Sequence, residues 1–283
     1  ADLSEAGTVF KLWSPIADKV DLRLFENGTG GEPEAVFPME KKAKGVWEYK
    51  TDKNLNGKYY DYLLIIEGKE SISSDPYAKA CGLNGVRSMV IDLNETNPKG
   101  WENDKAPERE VEDIIYELHV KEFSYAKEGG FPENVRGTYK AFSVDNTSLR
   151  NEGKIPTGLN YIKELGVNYI QLMPVYDYAS VNEDGTGAQF NWGYDPLNYN
   201  IPDGSYSTDA ANGEVRIKEF KEMIQALHKK GFRVIMDVVY NHTFDLNTSL
   251  QKTMPYYHYR IDEKGDLSDG SACGNDIASE MPM

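Results

Sequence analysis

Phe232-Arg233-Val234-Ile235-Met236-Asp237-Val238-Val239-Tyr240-Asn241-His242 is the stretch on which the fold turns. Residues 232–240 are apolar at almost every position, and the run closes on Asn241 and His242. Such a run is expected of a strand covered on both faces, as in parallel sheets flanked by helices. Just upstream, residues 215–230 place Ile217, Phe220, Ile224 and Leu227 at helical spacing, with Gly231 as a C-terminal stop. Further upstream, 168–175 reads as a strand. Residues 157–165 read as a helix with Leu159, Ile162 and Leu165 on one face, and 114–120 read as a first buried strand. Strand, helix, strand, helix, strand is a parallel β/α layout. The strand starts are widely spaced, so the surplus residues belong to long loops, the longest after the second strand. In a β/α barrel the loops after the strands build the active site.

Before residue 110 the texture is different. Thr8-Val9-Phe10-Lys11-Leu12-Trp13 and Lys19-Val20-Asp21-Leu22-Arg23-Leu24-Phe25 alternate apolar with polar. Residues 46–49 and 58–66 read as further strands, with turns at 27–31 and at Asn56-Gly57. Short strands at close spacing predict a β-sandwich of the immunoglobulin-like kind, about a hundred residues long. Residues 98–107 are polar and rich in breakers, as a linker would be. The expected division is therefore 1–108 for the sandwich and 109–283 for the β/α part.

The chain has 283 residues with 31 Lys and Arg against 46 Asp and Glu, a net charge of −15. The acidity is spread, −5 up to residue 110 and −10 beyond it. A chain this negative repels phosphate, which argues against nucleic acid and anionic membrane as partners. No apolar run reaches the roughly eighteen residues of a spanning helix. The two cysteines, Cys81 and Cys273, exclude a disulfide framework and a cysteine-based zinc site. The four histidines show no metal spacing, and 28–31 lacks the Lys-Ser/Thr of a phosphate loop. The compartment is left undecided. The hydrophobic share of 40% suffices for a packed core.

Three strings carry chemistry. Asp237, Asn241 and His242 stand where a parallel strand ends, the place barrel enzymes keep substrate contacts; Asp and Asn there also suit a helix cap. In the loop after the second strand sits Phe190-Asn191-Trp192-Gly193-Tyr194-Asp195-Pro196. Its aromatics could stack on a sugar ring while its acid bonds the hydroxyls, although Gly193 and Pro196 also suit a plain turn. Tyr116-Glu117-Leu118-His119-Val120-Lys121-Glu122-Phe123 reads by itself only as a buried strand with polar tips.

Together these strings resemble the α-amylase superfamily, glycoside hydrolase family 13, and most of all its type I pullulanases. Asp237-Val238-Val239-Tyr240-Asn241-His242 is similar to the family's first conserved region. Residues 190–196 differ from the family's Tyr-Asn-Trp-Gly-Tyr-Asp-Pro only by Phe190. Residues 8–15 with Ala17-Asp18-Lys19-Val20 resemble the opening of the family's carbohydrate-binding β-sandwich. Gly137-Thr138-Tyr139, Leu172-Met173-Pro174-Val175 and residues 273–280 also fit. The implied fold is that sandwich followed by the first three β/α units of a TIM (β/α)8 barrel, truncated in the loop after strand three. The implied activity is retaining hydrolysis of α-1,6 links in pullulan, starch and glycogen. The implied ligand is an α-glucan polysaccharide or oligosaccharide, gripped in a one-sugar subsite beside the scissile bond. Tyr194 would stack under that glucose, with Trp192 in the same string. His242 would bond its 6-hydroxyl side, Asp195 would bond sugar or order Tyr194, Asp237 would hold the polar network, and Asn241 would shape the base of the loop.

A retaining glycosidase needs a carboxylate nucleophile and a carboxylic acid roughly 5 Å apart. In the family these lie on the fourth and fifth strands, with a stabilising Asp after the seventh. No Gly-Phe-Arg-x-Asp string occurs; Gly231-Phe232-Arg233-Val234-Ile235 fails it at the acid. No catalytic residue is therefore assigned. A C-terminal companion chain or segment is expected to complete the barrel, and the chain alone is expected to be inactive and unstable beyond its sandwich. On that view Ile170, Leu172, Val234, Ile235 and Val238 would face no partner. An isoamylase-like or other α-glucan hydrolase, and a non-catalytic glucan-binding fragment, are the alternatives. No cofactor is required. A structural calcium ion could be held by Asp262, Asp266, Asp269, Asp276 and Asn275, although a solvated acidic loop fits those residues better. Trp13, Trp47 and Trp101 could form a starch platform, with Trp13 better read as core.

Overall fold

The computed structural model describes residues 1–109, 112–186 and 190–282; the closing Met283 lies outside them. Two antiparallel layers, of four and five strands, come first. One has the order β1-β2-β6-β5: β1 (Asp2–Ser4), β2 (Gly7–Trp13), β6 (Val46–Thr51) and β5 (Glu40–Lys41). The other has the order β4-β3-β7-β8: β4 (Ala35–Pro38), β3 (Lys19–Phe25), β7 (Tyr59–Ile66) and β8 (Lys69–Ser73), with β9 (Ser88–Met89) also on β7. The alternation in the sequence sets which faces meet. Phe10 and Leu12 of β2 are buried while Lys11 between them is exposed. Opposite them Leu22 pairs with Tyr62 and Leu24 with Tyr60, all in one core with Trp47. Arg23 and Asp61, cross-strand partners, form a two-pronged ion pair at 2.6 and 2.7 Å.

Next comes a parallel sheet of three strands: β10 (Ile115–Leu118), β11 (Tyr169–Leu172) and β14 (Arg233–Met236). Leu118, Leu172 and Met236 lie abreast. The helices α2 (Gly158–Glu164) and α3 (Gly213–Lys229) follow the layout the sequence predicts. Asn212 caps α3 by accepting from the Glu214 N–H at 3.0 Å, one of the unpaired donors of a helix start. A short helix, α1 (Glu122–Tyr125), follows β10, and α4 (Ser249–Thr253) lies beyond β14. Between β11 and α3 a hairpin of β12 (Tyr176–Tyr178) and β13 (Pro196–Pro202) carries the long loop on its tip.

Several expectations change. The strand read over 232–240 is regular only from Arg233 to Met236, and its cover runs out toward its carboxyl end. Met236, Val238 and Tyr240 are 45%, 41% and 55% exposed. The strand read over 114–120 shortens to Ile115–Leu118 and is an edge rather than a buried strand, with Ile115 52% exposed. Ile170 and Leu172 do not lack partners. Both are fully buried in a core with Leu159, Ile162, Met223, Leu227 and Phe232, because even-numbered residues of β11 turn toward the helices. Val234 packs against the same core, and Ile235 is half-buried. Leu165 is exposed, because α2 ends before it. The three tryptophans build no common platform. Trp47 is core, Trp13 packs edge-on to Tyr257 at 4.8 Å, and Trp101 lies under Lys221.

Candidate functional site

The long loop and the end of β14 meet above the carboxyl ends of the parallel strands. The Asp237 N–H donates to the Leu172 carbonyl at 3.0 Å, which continues the sheet ladder and points the Asp237 side chain outward from the strand end. The Tyr194 phenol, 43 residues earlier, donates to Asp237 Oδ2 at 2.8 Å. Burial and that bond push the Tyr194 phenol up to about 12, so it stays a donor across the physiological range.

His242 supports the same tyrosine from behind. Its Nε2 donates to the Tyr194 carbonyl at 2.9 Å, and Asn241 Nδ2 donates to its Nδ1 at 3.1 Å. This assignment of the ring proton follows from the partners. Both ring nitrogens are thus used within the protein, and the ring is 7% exposed. In this arrangement His242 holds the backbone of Tyr194; it does not offer a free nitrogen to a sugar hydroxyl. Asn241 is itself tied down, its carbonyl accepting from Ile277 at 2.9 Å.

The loop is shaped by Asn191. Its side-chain oxygen accepts from the Gly193 N–H at 2.8 Å, and its Nδ2 donates to Asp195 Oδ2 at 3.0 Å. Gly193 has φ +89°, and a Cβ there would lie 3.0 Å from both Cβ and the carbonyl oxygen of Pro174, so only glycine passes this point without strain. Burial raises the Asp195 carboxyl, and its Oδ1 is buried without a hydrogen-bond partner. Phe190, Trp192, Tyr194 and Phe244 line an open cavity of about 660 Å³ with Ser180, Asn191 and Asp195. Their rings are 49%, 59%, 37% and 46% exposed. Four large aromatics left in water around one cavity form an apolar surface fit for a flat ligand. Phe244 was invisible in the sequence reading. It lies two residues beyond His242, and its backbone bond to the Pro196 carbonyl at 2.9 Å brings it to the loop.

A second polar group lies underneath. Asp177, Glu183 and Asp203 bring carboxylate oxygens within 4.8 Å of one another, all buried. The Arg216 guanidinium, fully buried on α3, sits among them, 3.0 Å from each Glu183 oxygen and 3.9 Å from Asp177. Burial and the neighbouring Glu183 push the Asp203 carboxyl up to about 7. The same cluster joins the sandwich to the sheet. The Asn84 side chain accepts from the Glu183 N–H at 2.8 Å, and Arg216 donates to the Gly82 carbonyl at 3.3 Å. Three carboxylates suit a divalent cation, but Arg216 already supplies a positive charge there.

The acidic residues near the end do not converge in this way. Among the described residues the one convergent group of acids is Asp177, Glu183 and Asp203. Asp276 accepts from Ser268 Oγ and Gly270 N at 2.7 Å and from Ser271 N at 3.0 Å, which holds its carboxyl well below the usual range. Asp262 accepts from Lys264 N and Asp266 N, Asp269 from Gly274 N, and Asn275 from Thr243 N. These side chains staple the loop.

Two family models match parts of the chain. The model of the carbohydrate-binding module 48, the isoamylase N-terminal domain, matches residues 1–78, and that of the α-amylase catalytic domain matches residues 152–269. The pullulanase of Bacillus subtilis (strain 168) is 37% identical over 282 residues, 98% of this chain and 37% of that protein. The crystal structure of pullulanase from Paenibacillus barengoltzii in complex with maltohexaose and α-cyclodextrin superposes with a TM-score of 0.94 at 41% identity, over 99% of this chain and 43% of that one. The pullulanase of Anoxybacillus sp. LM18-11, complexed with maltotriose, gives 0.90 at 35% identity, over 99% and 39%. The chain thus spans well under half the length of these relatives.

Proposed function

We infer that this chain, which is similar over 98–99% of its length to pullulanases, forms the sugar-gripping part of an α-glucan hydrolase. The observation that carries this reading is the meeting of Tyr194 with Asp237, which joins the two most specific strings of the sequence at one point above the sheet. Tyr194 stacks on one glucose, Trp192 extends the apolar floor, and Asp195 orders the loop beside Tyr194 through its bond from Asn191. His242, Asn241 and Asn191 hold these groups in place. A ring fixed in this way favours the flattened oxocarbenium-like sugar when its contacts tighten as the ring flattens.

The reaction in this reading is retaining hydrolysis of α-1,6 links in pullulan and branched α-glucans. The nucleophile and the acid come from a further segment or chain that completes the barrel. The exposed edge of β10 and the exposed Met236 and Val238 support such a cover. The proposed division is 1–108 for the glucan-binding sandwich and 109–283 for the part of the barrel. The reading needs no cofactor. Arg216 fills the place among Asp177, Glu183 and Asp203 where a calcium ion could otherwise sit.

Affinity electrophoresis tests the reading. The chain is expected to be retarded in gels containing pullulan and to release no sugar from it. Free migration in both pullulan and amylopectin would overturn the glucan reading. Sugar release by the chain alone would overturn the assignment of nucleophile and acid to a further segment.

A further inference from the structure

His119 stands at the carboxyl end of β10, is 4% exposed, and is used by nothing in the reading above. Its contacts bear directly on the sugar loop. Nδ1 accepts from the Glu122 N–H at 3.3 Å, so the proton of the neutral ring sits on Nε2. Nε2 lies 2.9 Å from the Asn191 carbonyl and 3.0 Å from the Tyr206 hydroxyl, and its proton is shared between them. Tyr206 is fixed in turn by the Tyr178 hydroxyl at 3.1 Å. The Phe190 ring lies against the imidazole, 4.8 Å between centres. The first two residues of the aromatic string, Phe190 and Asn191, are thus fastened to one buried side chain at the end of the first parallel strand.

We propose that His119 is the positioning residue of this loop, and that the loop is seated only while the imidazole is uncharged. A second proton would go to Nδ1, where it would face the Glu122 N–H, donor against donor. The charged ring would also be buried, and a buried charge without a close partner is expelled or neutralised. The charged groups near the ring are Lys121 and Glu122 from the following turn, which act in opposite directions; Tyr206 and Tyr178 face it from the β12 side. Burial lowers the ring's affinity for the proton, so release sets in below the ordinary histidine range. With the ring out, Asn191 loses its backbone anchor, and with it the clamp on Gly193 and Asp195. As far as it concerns glucan, the inference rests on the reading of the cavity given above; as far as it concerns the loop, it does not.

Hydrogen exchange of the full chain tests it without any ligand. In the wild type, amides of residues 190–196 are expected to be protected near pH 7.5. Their protection, corrected for intrinsic exchange, should fall about tenfold or more by about pH 5, the loss of one hydrogen bond's worth of local stability. Protection in α3 should not fall over the same range. His119→Gln should show the low value at both pH values, with no step between them. The same step in His119→Gln as in wild type, or no step in wild type, overturns the proposal. Should His119→Gln fail to fold, an NMR titration of the His119 ring in the wild type decides it: the loss of protection must follow the ring's own protonation, and a loss while the ring is still neutral overturns the proposal. A parallel titration with maltohexaose separates the two claims. If the step is present and maltohexaose does not bind at any pH, His119 positions the loop and the glucan reading fails.

Discussion

Tyr194 and Asp237 are joined by a 2.8 Å hydrogen bond from phenol to carboxylate, although they belong to a loop and a strand end 43 residues apart. The bond aims the ring, while the ring itself supplies the apolar contact. Tyr194→Phe removes the first and keeps the second. It is expected to weaken maltohexaose binding by up to about tenfold, the value of one hydrogen bond to a charged group at a partly exposed site. Calorimetric titration of the two proteins checks this.

Arg216 is the counter-charge of three buried acids. Arg216→Met keeps much of the volume and removes the charge. Breaking a buried ion cluster from one side costs about 3–5 kcal/mol. Urea denaturation should place Arg216→Met lower than wild type by that order, with the gap narrowing in acid as the carboxylates take up protons.

Asp203 sets a pH dependence of its own. Its folded carboxyl is raised from 3.8 to about 7. A raised acid binds more protons folded than unfolded, so its stabilisation is complete below pH 3.8 and is lost as pH rises toward about 7. Between these limits wild-type stability should decline with pH. The Asp203→Asn variant should decline less, read as denaturation midpoints across the range.

A buried position on the parallel sheet and an exposed one just beyond β14 can be told apart by truncation. Leu172 is fully buried, so Leu172→Ala should cost about 2–5 kcal/mol. Val238 is 41% exposed, and Val238→Ala should change stability by less than about 0.5 kcal/mol. Melting temperatures of the two variants make the comparison.

Much of this was legible in the sequence, for identifiable reasons. The alternation in residues 8–13 and 19–25 fixes which side chains of the sandwich point inward, and β2 and β3 follow it. The periodicity of 215–230, with Gly231 as a stop, gives α3 within two residues at either end. The apolar run at 232–240 misled, because hydrophobicity does not say how far along a strand its cover reaches. Val234 packs against the core, while Met236, two residues on, is 45% exposed. The site strings were readable as strings, but their division of labour was not. That His242 spends both nitrogens inside the protein depends on the Tyr194 carbonyl and Asn241, which only the fold brings to it. The Arg216 cluster was missed because Asp177, Glu183, Asp203 and Arg216 have no regular spacing. Phe244 was missed, and His119 was read only as a polar tip of its strand, because a single aromatic or histidine carries no signal until its neighbours are known.

Calorimetric titration of maltohexaose into wild type and Tyr194→Ala tests the central claim most directly. The account predicts saturable binding to the wild type, and loss of that binding in Tyr194→Ala with an unchanged melting temperature, since the Tyr194 ring is 37% exposed. Equal binding by both proteins would contradict it, because the sugar would then sit somewhere other than over Tyr194 and Asp237.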